Sequence, residues 1–245
     1  MSEFKFPTEI VELPSKGLLY PESSPLASGK VEMKYMTAKE EDILTNQSYI
    51  KQGIVLDKLL QSLIVTKIDY NELLTGDKNA ILIASRILGY GKDYSFTYRG
   101  ESVTVDLSTL ENKKIDESLF VNRKNEFTFK LPSTSDVITF KLLSQGDEAK
   151  LDQELEGLKK INQNPEISTR LKHTILSVNG NYEKASIRDF VDNYLLARDA
   201  RALREYIKQI QPDVDLTTTI QTSNGLVEGV SIPVGLDFFW PDFGI

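Results

Sequence analysis

The chain has no cysteine and a single histidine, His173, among its 245 residues. The lack of cysteine excludes a disulfide framework and thiolate chemistry, and a lone histidine argues against a zinc site. We assign no chemistry to His173 and expect neither a metal nor a cofactor. The chain also has no apolar run of about 18 residues and no charged-then-apolar leader, so we predict no membrane span and no secretion signal.

A block of positive charge is absent as well. Lys and Arg number 29 against 36 Asp and Glu, which gives a net charge of −7, and the two signs are interleaved. Since nucleic-acid binding depends on clustered cations, we do not expect a nucleic-acid partner. A DNA-facing role for Arg198, Arg201 and Arg204 is an alternative, but Glu205 beside them favours a solvated helix face for Arg201 and Arg204.

The longest helix-spaced apolar pattern runs from residue 186 to residue 212. Ser186 is placed to cap its first turn, and Pro212 marks its end. Arg198 and Asp199 occupy a turn that should be apolar, so we predict two helices, with Asp199 as the N-cap of the second.

A similar sequence occurs earlier in the chain, where residues 74–81 match residues 196–203. Thr75 and Gly76 are poor residues for a helix interior. We therefore predict that Asp77 is the N-cap of a helix that extends to Leu88.

Other features recur in both parts of the chain. An alternating strand followed by a capping box is predicted with Thr37 and Glu40, and again with Ser144 and Asp147. A hairpin pattern closes each part. These repeats predict an α+β fold with two pseudo-repeated halves, each a strand, helices and a hairpin. The expected organisation is an extended N-terminal arm (1–30), a first half (31–110), a connector (111–125), a second half (126–235) and an aromatic C-terminal tail (236–245).

Both terminal segments contain proline, which disfavours a helix, and both also contain large apolar side chains. The arm holds four of the nine prolines, and the tail contains the only tryptophan. Such side chains are costly to leave in water, so each segment is expected to pack on its own globule or to insert into a partner. The candidate partner-binding residues are Leu18, Leu19, Tyr20, Phe238, Phe239, Trp240 and Phe243.

The acids of the two capping boxes also permit an enzymatic interpretation. A tail-associated hydrolase could use paired carboxylates, with Glu40, Glu41, Asp147 and Glu148 as the candidates. The sequence shows no accompanying substrate-binding set. Helix capping explains the same residues, so we expect a protein that is not an enzyme.

Several short segments, in this order and at this spacing, resemble one known family: Pro14-Ser15-Lys16-Gly17 with Tyr20-Pro21, Met36-Thr37, Leu142-Leu143-Ser144 before Asp147-Glu148, Asp192-Asn193-Tyr194 to Arg204, and Phe239-Trp240-Pro241. Together they resemble the baseplate hub subunits and hub assembly proteins of T-even-type contractile-tailed bacteriophages (myoviruses). The resemblance implies binding to other baseplate or tail proteins, hub or wedge subunits, with self-association as a further option. It implies a location in the virion tail or in the host cytoplasm during assembly. It brings no catalytic residues.

Overall fold

The computed structural model describes residues 7–239, and the first element in this range is a strand hairpin. Strand β1 (Thr8–Glu12) pairs antiparallel with β2 (Lys30–Lys34), with Val11 opposite Val31. The segment expected to be an extended arm therefore lies on its own globule and contributes a strand to the first half. The expected boundary at residue 30 falls inside this hairpin.

Four helices and a second hairpin complete the first half. They are α1 (Ala38–Leu44), α2 (Gln47–Lys51), α3 (Val55–Leu63), α4 (Thr75–Tyr90), β3 (Asp93–Tyr98) and β4 (Glu101–Asp106). Thr37 is the N-cap of α1, and its backbone N–H donates to Glu40 Oε2 at 2.9 Å. Helix α4 ends at Tyr90 because Gly91 adopts a φ of 85°, which favours glycine.

The predicted connector holds two 3-10 turns, Glu117–Leu119 and Val121–Arg123. Between them Phe120 is buried and packs edge-on against Phe127, with the ring centroids 5.8 Å apart. The connector is thus attached to the second half through an aromatic contact.

The second half begins with a three-stranded antiparallel sheet in the order β5-β6-β7. Its elements are β5 (Phe127–Lys130), β6 (Val137–Phe140), α5 (Gln145–Lys159), α6 (Glu166–Thr174), β7 (Ile175–Val178), α7 (Lys184–Asn193), α8 (Ala197–Ile210), β8 (Thr217–Thr222) and β9 (Gly225–Ser231). Small antiparallel sheets and helices in separate segments confirm the α+β class.

The long pattern from residue 186 divides into α7 and α8, which confirms the predicted break. The predicted caps are wrong, however. Helix α7 begins at Lys184 after Glu183, so Ser186 lies inside the first turn and its hydroxyl donates to the Glu183 carboxylate. The N-cap of α8 is Leu196, and Asp199 is the third residue of that helix.

Asp77 departs from its expected role in the same way as Asp199. Helix α4 begins at Thr75 after Leu74, and Asp77 is its third residue. Both aspartates are fully buried, and each reaches across to the turn of a strand hairpin. Their Oδ1 atoms accept from the backbone N–H of Ser15 and of Ser133, both at 2.9 Å. The positions of these two side chains are therefore fixed by tertiary hydrogen bonds and not by helix capping.

The two halves have similar orders of elements: a hairpin, a helix that opens with a capping box, further helices, a helix with a buried aspartate in its first turn, and a final hairpin. They differ in β7, which has no counterpart among the strands of the first half. The hairpin turns share Leu-Pro-Ser, at residues 13–15 and 131–133. This order is compatible with the predicted repeat, and a common origin of the halves stays a prediction.

The halves join through the segments that lead into α4 and α5, which we call the internal junction (residues 73–75 and 143–145). Leu74 and Ser144 form an antiparallel bridge. On either side, the Thr75 N–H donates to the Leu143 carbonyl at 3.3 Å and the Gln145 N–H to the Leu73 carbonyl at 2.8 Å. One continuous apolar core extends through both halves.

Candidate protein-interaction surface

The residues predicted to anchor a partner lie mostly inside the protein. Leu19, Tyr20, Phe238 and Phe239 are at most 3% exposed, so they are not available on the folded surface. Leu18 is partly buried and packs against the same core. Trp240 and Phe243 fall outside the described residues. The prediction of an anchor set is therefore wrong for the four buried residues, because the chain uses them to close its own core.

Tyr20 is fixed by the buried carboxylate of Asp77. The Tyr20 hydroxyl donates to Asp77 Oδ2 at 2.6 Å and accepts from the Leu74 N–H at 2.9 Å. The Ser15 hydroxyl also donates to Oδ2, at 2.7 Å. Burial, and then the charge of Asp77, raise the pKa of the Tyr20 hydroxyl above its ordinary value, and burial likewise raises the pKa of Asp77.

Phe238 is held by a buried arginine that the sequence analysis did not single out. Arg86 donates through Nε to the Phe238 carbonyl at 2.9 Å, and through its Nη atoms to the carbonyls of Gly91 and Asp93. Its guanidinium also lies 5.8 Å from the ring centroid of Tyr94, which packs edge-on against Phe238. Burial lowers the pKa of Arg86. The available signal was an arginine within the apolar periodicity of α4, close to Leu82 and Ile83 in the sequence.

The acids proposed for hydrolysis have structural partners. Burial alone would raise the pKa of Glu40, but hydrogen bonds from Lys34, Thr37 and Ser62 hold that pKa at about 2. Glu40 therefore serves its capping box and its neighbours. Its charge is stabilised in place, so it is poorly suited to proton transfer at neutral pH.

Asp147 has the equivalent role in the second half. It completes the capping box of Ser144, and Lys141 donates to its Oδ1 at 2.7 Å. Burial opposes the shift, yet these bonds lower the pKa of Asp147. The next acid, Glu148, accepts from Arg170 at 2.7 Å. Both candidate acids of this half are therefore engaged by basic side chains.

A cleft of about 400 Å³ opens between α5, α6 and α8, and we call it the α6 groove. Its apolar floor consists of Leu143, Ile167, Leu171 and Ile207. Ile167 is 54% exposed, a large value for an isoleucine next to a core. Exposed apolar area with a polar rim is typical of a protein-binding site.

The rim of the α6 groove is mainly cationic. Four basic side chains and two acidic ones line it: Lys141, Arg170, Arg204, Lys208, Glu148 and Glu166. Lys141 and Arg170 are paired with acids, as described above. Within residues 7–239, neither Arg204 nor Lys208 makes an ion pair, and Arg204 donates only to the Ala200 carbonyl. The groove therefore presents an excess of positive charge.

Helix α6 is held in position by a network that includes the only histidine. Glu154 on α5 accepts from both Nη atoms of Arg188 on α7, at 2.9 and 3.1 Å, and lies 2.9 Å from His173 Nε2 on α6. The hydrogen bonds from Arg188, and to a smaller extent that from His173, hold the pKa of Glu154 at about 2, although partial burial acts to raise it. The three helices are thus tied together behind the groove.

Residues 7–239 show few features of a metal site, a membrane span or a DNA-binding site. No group of metal-binding side chains occurs within the described range, and none of its helices is long and apolar enough to cross a bilayer. In the arginine cluster, Arg201 pairs with Glu205 at 2.8 Å, as expected for a solvated helix face. The described part of the chain is thus an α+β protein whose most marked surface feature is the α6 groove.

Comparison with known families gives this class a specific biological setting. The family model for the T4 bacteriophage base plate protein matches residues 7–240, which is nearly the whole chain. The chain therefore belongs to the T4 bacteriophage base plate protein family. No curated protein and no solved structure matches the chain.

Proposed function

We propose that this protein acts in the baseplate hub, as a hub subunit or as a hub assembly factor, by binding other baseplate or tail proteins without catalysis. The observation that carries the proposal is the α6 groove, which combines an exposed apolar floor with a cationic rim. The family membership supports a structural baseplate role. The engagement of Glu40 and Asp147 in capping boxes favours a non-enzymatic function.

The chemistry of the α6 groove favours an acidic, amphipathic segment of a hub or wedge protein. Apolar side chains at helical spacing would contact Ile167, Leu171 and Ile207, and carboxylates on the flanks would face Arg204 and Lys208. Because that rim is solvent-accessible, the charges contribute mainly to the association rate and to the choice of partner, and salt weakens them.

Capture of partners from phage-infected cells tests this groove. The full-length protein carries an affinity tag, and co-purifying phage tail proteins are quantified by mass spectrometry. Ile167→Glu places a charge on the apolar floor and should abolish capture of the specific tail protein. Ile161→Glu is the matched control, because Ile161 is 62% exposed but does not line the groove.

A second pair of variants tests the cationic rim. Lys208→Glu should reduce capture by about tenfold at low salt and by less at high salt, since exposed charges are screened. Lys150→Glu makes the same charge change at an exposed position outside the groove and should leave capture unchanged. Equal capture by the wild type and by both groove variants would refute the assignment of this surface.

The choice between subunit and assembly factor is tested on the particle itself. Quantitative mass spectrometry compares purified virions with infected-cell lysate. A fixed stoichiometry in virions is the result expected for a hub subunit. Abundance in the lysate together with absence from virions is the result expected for an assembly factor.

A further inference from the structure

Two segments that lead into helices have backbone groups without a hydrogen-bond partner among residues 7–239, and we call them the α1 entry (residues 36–38) and the α8 entry (residues 195–197). Across residues 7–239, no hydrogen bond is made by the carbonyls of Met36 and Leu195 or by the N–H groups of Ala38 and Ala197. The two capping boxes align residues 36–38 with residues 143–145. The match of residues 196–203 with residues 74–81, extended by one residue, aligns residues 195–197 with residues 73–75. These are the two sides of the internal junction. The same four groups are hydrogen-bonded there.

Exposure of side chains shows the same contrast. Leu74, inside the internal junction, is 5% exposed, whereas its counterpart Leu196 is 50% exposed. Tyr194, next to the α8 entry, is 63% exposed. Two large apolar side chains together on one edge are characteristic of an interaction site.

The backbone of the α1 entry and of the α8 entry already has the conformation of the corresponding segments in the internal junction. Leu196 has φ and ψ of −63° and 143°, close to the −68° and 148° of Leu74. Thr37 has −124° and 174°, and Ser144 has −93° and 171°. Pairing would therefore require little rearrangement, which lowers the entropic cost of association.

We propose that the α8 entry of one copy of this protein pairs with the α1 entry of a second copy, head to tail, in the way that residues 73–75 pair with residues 143–145. The Ala197 N–H would donate to the Met36 carbonyl of the second copy, and the second copy's Ala38 N–H to the Leu195 carbonyl. Leu196 would be covered as Leu74 is. This contact is heterologous, so repetition of it builds a ring or a filament.

The contact between copies is weaker than the internal junction for a steric reason. Gly76 lets Pro212 approach so closely that a Cβ would lie 1.8 Å from the Pro212 carbonyl oxygen. The aligned position holds Arg198, and Lys39 aligns with Gly146, which packs against Asn71. The side chains of Arg198 and Lys39 prevent an equally close fit. The association should therefore be reversible and depend on concentration.

Sedimentation velocity of the full chain over a concentration series tests the proposal. It uses two variants whose substitutions are compatible with the N-termini of α8 and α1. Leu196→Asp introduces a preferred N-cap residue of α8 and puts a charge into the proposed contact. Ala38→Pro removes one donor at the first position of α1, where proline is favoured and where the ψ of Thr37 suits a following proline. Thermal unfolding should show that both variants stay folded.

Wild type should form dimers and larger species as the concentration rises. Each variant alone should dissociate at least about tenfold more readily. An equimolar mixture should form a one-to-one dimer with wild-type affinity and little beyond it, because each variant retains the end that the other has lost. Leu226→Asp, at a leucine 72% exposed on β9, is the control and should associate as wild type does.

Three results would overturn the proposal: a wild-type chain that stays monomeric at every concentration, association that neither variant weakens, or a mixture that behaves as the single variants do. These outcomes are independent of the α6 groove, because capture of tail proteins is measured on separate variants.

Discussion

The two halves have similar orders of elements but differ in how completely their buried acids and apolar side chains are covered. The first half has a long hairpin connection, residues 13–29, which brings Tyr20 onto Asp77. The second half has only a short turn, residues 131–136, and Asp199 receives the Ser133 N–H while its Oδ2 has no partner among the described residues. The same buried acid is thus fully satisfied in one half and partly in the other.

The same difference extends to the surface. Both terminal parts of the described chain pack on the first half, since β1 pairs with β2, and Phe238 rests on Tyr94 and Arg86. The second half has the α6 groove and the exposed Leu196. In this comparison the buried acid of the first half has the more complete set of hydrogen bonds, and the second half contains the α6 groove.

Removal of the two buried acids tests the comparison most directly. Asp77→Ala leaves Tyr20 and Ser15 with buried donors that have lost their acceptor, and should lower the free energy of unfolding by at least about 3 kcal/mol. Asp199→Ala removes the acceptor of the Ser133 N–H together with weaker interactions with the Ser133 hydroxyl and Thr134, and should cost less. Urea denaturation of both variants measures the difference. A larger loss for Asp199→Ala would reverse our view of which half is more firmly held.

Arg86→Met examines how the C-terminal segment is held on the first half. Methionine keeps much of the apolar stem but leaves the carbonyls of Phe238, Gly91 and Asp93 without their donor. We expect a loss of about 2 kcal/mol and faster hydrogen exchange around Phe238. Unchanged exchange at that segment would show that aromatic packing alone retains it.

Glu40 gives the first half a pH dependence that can be measured. Its pKa of about 2 in the folded chain lies below the ordinary 4.5, so its stabilisation is complete above pH 4.5 and is lost as the pH falls towards 2. Glu40→Gln should cost about 1.5 kcal/mol at pH 7, and this difference should shrink over that interval. A difference that stays constant with pH would contradict the assigned pKa.

The two capping boxes should show the smallest effects and the closest agreement between halves. Thr37→Ala and Ser144→Ala each remove the N-cap hydroxyl of a helix and should cost about 1 kcal/mol. Thermal or chemical denaturation of the two variants measures this. Losses that differ by more than about 1 kcal/mol would show that the boxes are not equivalent.

Local patterns in the sequence were sufficient for several elements. The boxes of Thr37 and Ser144 and the two closing hairpins follow from spacing within a few residues. The α+β class and the break between α7 and α8 also follow from periodicity and local propensity. Each depends on interactions between residues close in the chain, where the residue types restrict the available conformations.

The tertiary structure decided the features that depend on distant residues. Aspartate is a favoured N-cap residue, and the local sequence around Asp77 and Asp199 predicts caps. Hydrogen bonds from Ser15 and Ser133, more than 60 residues away, place both aspartates in the interior instead. From the sequence, the aromatic residues near the C-terminus could pack into the core of this chain or insert into a partner. The hydrogen bond from the buried Arg86 to the Phe238 carbonyl places Phe238 in the core.

The α6 groove could not be read from the sequence, because its floor and rim come from several elements. The sequence by itself determined the elements and the family, since both depend on residue order. Only the packing of the two halves determined which apolar side chains are buried and which remain exposed, because burial depends on contacts between segments far apart in the chain.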